Sequence, residues 1–186
     1  MERLRARGAA VVHTHEPGGT PLGDQLRPIL LTRTELQLGA AAEALLMNAS
    51  RAQLVEQVIR PALARGDVVV CDRFADSTLA YQGYGRGLDV AALRAVISFA
   101  TAGLRPDLTI LLDLPVEAGL ERKWAQHTGW NRFEAEVRAF HERVRVGYQA
   151  LVAAEPERWS CFEGLRPSAE LADAIWQRVA ERMGRV

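Results

Sequence analysis

The sequence predicts an α/β fold, a parallel sheet covered by helices on both faces, and three observations point there. Four short apolar runs rich in β-branched residues, at 9–13, 68–71, 108–113 and 158–162, have the length and composition of buried strands. Longer stretches with apolar residues at helical spacing separate them. Polar, glycine-bearing or acidic segments follow the strands, where open α/β folds place their ligands.

Residues 1–8 predict the last turns of a helix that ends at Gly8, a residue suited to the left-handed cap position, and the chain then enters its first strand. A long helix is predicted over 40–64, with Leu45, Val55, Val58 and Ile59 recurring at helical spacing and Pro61 bending or ending a turn. Further helices are predicted over 90–100, 116–123, 134–153 and 169–183, the last with Ser168 as N-cap after Pro167. Two glycine-rich stretches, 18–23 and 83–87, read as loops of a site. With no repeat and no linker long enough to divide the chain, residues 1–186 are expected to form a single domain.

Composition excludes several classes. At 48% hydrophobic and 25% charged, the 186 residues suit an ordinary globular core and neither a disordered tail nor a coiled coil. The 23 basic and 23 acidic residues cancel, so the overall field favours neither bulk nucleic-acid nor membrane binding. No apolar run approaches the roughly 20 residues that cross a bilayer. The two cysteines sit in apolar runs with no leader before them, and the expected compartment is a reducing cytoplasm.

The segment VVVCDRFADSTLAYQG at 68–83 ends a strand in Asp72 and Arg73 and continues with Ser77, Thr78, Tyr81 and Gln82 three or four residues apart. An arginine beside a helical face of hydroxyls and an amide suits a phosphorylated, hydrogen-bonding ligand, although the same pair also makes an ordinary surface ion pair. In HEPGGTPLGDQLR at 15–27, adjacent glycines let backbone amides approach a ligand or simply supply a turn. The spacing from Gly18 to Gly23 imitates a G-x-x-x-x-G phosphate loop, but Asp24 and Gln25 stand where Lys and Ser or Thr are required. The only lysine, Lys123, lies in no glycine loop, so these residues contain no Walker A motif. Met47 and Arg51 share a helix face; such residues are as readily core and solvated surface as ligand contacts. Asp113 ends a buried strand, a weak Walker-B-like pattern. His13 and His15 alternate on a strand with no third ligand at metal spacing, and no nucleophile elbow is present.

Taken together, EPGGTPLG, SRAQLVEQVIRPAL, CDRFADSTLAYQGYGRGLD, GLRPDLTILLDLP, NRFE, FHERVRVGYQALVAAEPERW and RPSAELADAIW resemble the thymidylate kinase family nearly end to end. The resemblance implies a P-loop kinase-like three-layer sandwich with a five-stranded parallel sheet, a homodimer, and transfer of a phosphoryl group from ATP, with Mg²⁺, to dTMP. By the same resemblance, Arg73 holds the acceptor phosphate, Asp72 helps organise the metal and phosphate region, and Arg51 contacts the thymine edge. Ser77, Thr78 and Gln82 line the nucleoside pocket, Tyr81 crowds the sugar 2′ position, and Glu16 and Pro17 cover the acceptor side. Arg122, Arg132 and Arg166 fall on the ATP side, the first two within a lid at about 122–134.

Met47 stands where the family has a stacking aromatic ring, the lid carries Trp124, Ala125 and Gln126 where bacterial relatives often have arginines, and Asn131 replaces an aspartate. The family's first strand and P-loop are expected upstream of MERLRARG and are absent from these residues, which leaves two expectations. One is a dTMP kinase whose chain, N-terminally incomplete, lacks the donor site. The other is a degenerate relative that binds a nucleotide without transferring phosphate.

Overall fold

The computed structural model describes residues 1–32, 35–125 and 138–184, and they form an α/β structure of parallel strands flanked by helices. Contacts divide the chain into two compact units, Met1–Leu104 with Trp130–Gly147, and Arg105–Gly129 with Tyr148–Val186.

The first unit is organised on strands β1 (Val11–His15) and β2 (Val68–Asp72), a parallel pair in register from Val11 opposite Val68 to His15 opposite Asp72. Helix α1 (Glu2–Ala6) precedes them, and Gly8 turns the chain at φ 82°, the left-handed conformation that suits glycine. β1 begins two residues later than the hydrophobic run suggests, and the pairing with β2 carries it on to His15. Helix α2 (Pro21–Leu31) goes beyond the sequence reading. Thr20 caps it by accepting from the Gly23 amide, and Pro21 occupies the first turn, where its missing N–H costs nothing.

The expected helix over 40–64 is three pieces, α3 (Ala40–Leu54), a π-helical turn (Val55–Ile59) and α4 (Arg60–Ala64). Pro61 has no N–H and its ring crowds the carbonyl four residues back, so the wider turn falls just before it. Leu54, Val55 and Ile59 are buried there, packed against Val58, Val69, Cys71, Phe74 and Leu104. After β2 come α5 (Ala75–Thr78), a second π-helical stretch (Leu79–Gly85) and α6 (Val90–Thr101), capped by Asp89 through the amides of Ala91 and Ala92. The first ten residues of the helix Arg138–Ala154 belong to this unit. Phe140 and Val144 pack so closely on Gly85 that a Cβ there would lie 2.7 Å from the Phe140 ring, and Arg143 donates to the Gly85 carbonyl at 2.9 and 3.0 Å.

In the second unit, β3 (Thr109–Asp113) pairs in parallel with β4 (Trp159–Glu163). Helices α7 (Val116–Ala125), the C-terminal part of α8 (Arg138–Ala154) and α9 (Ser168–Met183) accompany them. Arg158 donates to Thr109 Oγ1 at 2.7 Å and pairs with Glu155, which also takes Arg105. Ser168 is the first helical residue of α9, not its cap; Pro167 occupies the cap position without a side-chain hydrogen bond. Among the described residues β1 pairs with β2 and β3 with β4, each pair parallel, as the α/β reading expects.

Candidate functional site

The carboxyl ends of β1 and β2 open on a cavity of about 340 Å³, all of whose lining residues belong to the first unit. Every substrate-binding residue expected from the sequence lines it: Glu16, Pro17, Met47, Arg51, Arg73, Ser77, Thr78, Tyr81 and Gln82, together with Asp72.

The floor is Arg51, on α3 and 1% exposed. Its Nε and Nη2 donate to the Glu16 carboxylate at 2.9 and 2.7 Å, Nη1 donates to Asn48 Oδ1 at 2.8 Å, and Nη2 also donates to Thr78 Oγ1 at 3.0 Å. A guanidinium carries its N–H groups in a fixed planar fork, so these partners lock its orientation and leave one Nη1 N–H for a ligand. The Phe74 ring, with its centroid 5.6 Å from the Arg51 guanidinium carbon, adds a cation–π contact. Glu16 is itself buried, and burial pushes its carboxyl above the ordinary 4.5, while the charge and hydrogen bonds of Arg51 pull it partway back.

Near the cavity rim, Arg73 follows β2 in a left-handed conformation, φ 65°. A non-glycine residue held there stores strain, a feature of sites whose surroundings fix the backbone. Two contacts fix it. The Cys71 thiol donates to the Arg73 carbonyl at 2.9 Å, and burial pushes that thiol up to about 12, which keeps its proton in place at neutral pH. The Arg73 guanidinium lies 4.9 Å from the centroid of the Tyr81 ring, and its Nη2 donates to the Tyr81 hydroxyl at 3.2 Å. Tyr81 in turn meets Phe140 edge-on, at a centroid distance of 6.0 Å.

The glycine pair before α2 does not present its amides to the cavity. Gly18 N–H donates to Ser50 Oγ at 3.2 Å and Gly19 N–H to Asp24 Oδ1 at 3.0 Å. Asp24, the residue that spoils the resemblance to a phosphate loop, is what closes this turn. Its neighbour on α2 is the larger omission of the sequence reading: Arg27 lines the cavity and anchors itself by donating to the Pro17 carbonyl at 2.7 Å. Phe74, Leu31, His15 and His141 also line it. Arg27 lies one helical turn after Gly23, and recognising α2 from its Thr20–Pro21 start would have placed it. Of the residues expected on the ATP side, Arg122 donates to the Gly164 carbonyl at 3.0 Å and Arg166 pairs with Glu170, all within the second unit. Arg132 lies outside the described residues, as does the part of the lid segment from 126 to 134.

Parallel strands whose carboxyl ends open on arginines, hydroxyls and aromatic rings define a nucleotide-binding α/β protein. Comparison with known sequences narrows the class. The chain matches the thymidylate kinase family over residues 1–175 and belongs to it, a family of ATP-dependent kinases. It is 47% identical to a thymidylate kinase of Roseiflexus castenholzii, covering 94% of this chain and 81% of that protein. Against the thymidylate kinase of Thermomicrobium roseum the identity is 50%, with 98% and 86% covered, and against that of Pseudomonas fluorescens it is 51%, with 94% and 82% covered.

Proposed function

We propose that the cavity is the acceptor site of a dTMP kinase, in which a phosphoryl group passes from ATP to the dTMP phosphate. The observation that carries this is the buried, orientation-locked Arg51 on the same cavity as Arg73 and Arg27. One cationic group fixed at the floor suits a carbonyl of a pyrimidine, and two at the more exposed positions suit a phosphate dianion. Met47 and the Phe74 ring line the cavity and supply apolar surface for the base, and Tyr81, also in the lining, is in this reading the ring that crowds a sugar 2′ position. Phosphoryl transfer asks a protein mainly for positioning and charge neutralisation, and arginines held by Glu16, Pro17 and Tyr81 provide both on the acceptor side.

The family uses Mg²⁺ with ATP. Among the described residues no three His, Cys, Asp or Glu side chains gather as a metal cage. The single Asp72 carboxylate at the cavity fits an ion held chiefly by phosphate oxygens and water, which neutralises charge on the transferred group when bound. A homodimer and a cytoplasmic location belong to the same reading; no described helix is long and apolar enough to cross a membrane.

A second reading, retention of dTMP without transfer, draws on Met47, which stands where the family has a stacking aromatic ring, and on Trp124, Ala125 and Gln126, where bacterial relatives often have arginines. Titration separates acceptor binding from catalysis. Arg73→Ala is expected to weaken dTMP about ten- to hundredfold, as loss of a charge-assisted contact does, and to leave thymidine nearly unchanged. Calorimetric titration of both ligands checks this, and equal weakening of the two takes Arg73 out of the phosphate site.

A further inference from the structure

Behind the cavity wall lies a carboxylate that does not line it. Glu43, on the first turn of α3, is 1% exposed, and Gln82 Nε2 donates to its Oε1 at 2.8 Å. Arg86 supplies the counter-charge, with Nη2 3.3 Å from Glu43 Oε2, and lies over the Phe140 ring at 4.7 Å. A carboxylate has only acceptors to offer, so Gln82 must turn its NH₂ toward Glu43. Its Oε1, for which the described residues provide no partner, is left for the cavity that Gln82 lines.

We infer that Glu43 is a positioning residue for base selection: by holding the Gln82 amide in one orientation, it makes the cavity present an acceptor at Gln82 beside the donor left on Arg51. The inference rests on the acceptor-site reading above. Thr78, which holds Arg51 Nη2, precedes Gln82 by four residues on one helical run, and all three residues line the same cavity. A 2,4-dioxopyrimidine meets that pair with a carbonyl next to a ring N–H. A 4-aminopyrimidine offers an amino donor next to an unprotonated ring nitrogen, the reverse order, and meets like with like at both points. The rejection comes from leaving buried groups unpaired, which discriminates more strongly than shape alone.

Glu43→Gln tests this, because an amide at 43 pairs with Gln82 in either orientation and releases the polarity. Where the loss of charge at Glu43 unfolds the protein, the double variant Glu43→Gln with Arg86→Gln, which removes both members of the pair, serves instead. Calorimetric titrations of the whole chain with dTMP and with dCMP read the ratio of affinities. Wild type is expected to prefer dTMP, and the folded variant to narrow the ratio about tenfold, the effect of one hydrogen bond. In a Gln82→Leu background the Glu43 change is expected to add nothing, since it acts through Gln82. An unchanged ratio in the folded variant, or a further tenfold change in the Gln82→Leu background, overturns the inference. Failure of wild type to bind dTMP at all overturns the acceptor-site reading itself, and the wild-type titration reports that separately.

Discussion

Glu16 shows how one buried ion pair ties binding geometry to pH. Burial raises its carboxyl above 4.5 and Arg51 only partly reverses this, so the folded protein holds the Glu16 proton more tightly than the unfolded chain does. Stability from that group is therefore fully present below 4.5 and is lost as the pH rises through the folded-state value. In Glu16→Gln the group no longer titrates. Urea denaturation at a series of pH values is expected to show wild type losing stability relative to Glu16→Gln as the pH climbs from 4.5 toward neutrality, and the opposite slope would contradict the assignment. Met47 poses the other residue-scale question. It lines the cavity half-buried, where a thioether fills space but offers no ring face. Met47→Phe is expected to tighten dTMP by about 0.5–1.5 kcal/mol through stacking. Were the residue core instead, the larger ring would overpack it, and a lower melting temperature without tighter binding would show that.

At the scale of elements, α2 depends on how closely it approaches α3. A Cβ added to Gly23 would lie 2.9 Å from the Gly18 carbonyl oxygen and 2.9 Å from Ser50 Oγ, and backbone oxygen cannot move aside as the end of a flexible side chain can. Gly23→Ala is expected to lower stability by about 1–3 kcal/mol, the cost of overpacking, and to weaken dTMP because Arg27 rides on the displaced helix. Urea denaturation and dTMP titration check the two effects. The same helix marks where sequence reading stops. The strand-to-helix segment after Val68 was legible because β-branched runs and polar residues three or four apart each follow one short-range rule. In α2, Gly23 and Pro28 disguise a helix that tertiary contact with Ser50 supports, so Arg27 went unrecognised although its Thr20–Pro21 start is a local signal. The π-helical turns before Pro61 and through Tyr81 were beyond pattern reading for a related reason: a one-residue widening alters which side chains share a face without altering composition. Glu43 carries no sequence signal of its contact with Gln82, because only folding brings together two residues 39 apart.

For the whole molecule the deciding quantity is where its charge lies rather than how much there is. Basic and acidic residues cancel at 23 each, yet Arg27, Arg51 and Arg73 line one cavity, a local concentration of positive charge that the net balance does not reveal. The family match runs through both units, residues 1–175. A Walker A loop supplies a cradle of backbone amides, a lysine on the outer phosphates and a hydroxyl for Mg²⁺. Within these 186 residues no segment has that sequence, and the amides of the glycine pair that imitates it are already taken by Ser50 and Asp24. Phosphoryl transfer without those groups forfeits the stabilisation of charge on the transferred phosphate. The 186-residue chain, assayed alone with ATP, Mg²⁺ and dTMP, is therefore expected to bind dTMP and to form little dTDP by chromatography, at least about a thousandfold less per site than a relative that carries the loop. Turnover comparable to that relative would overturn this expectation.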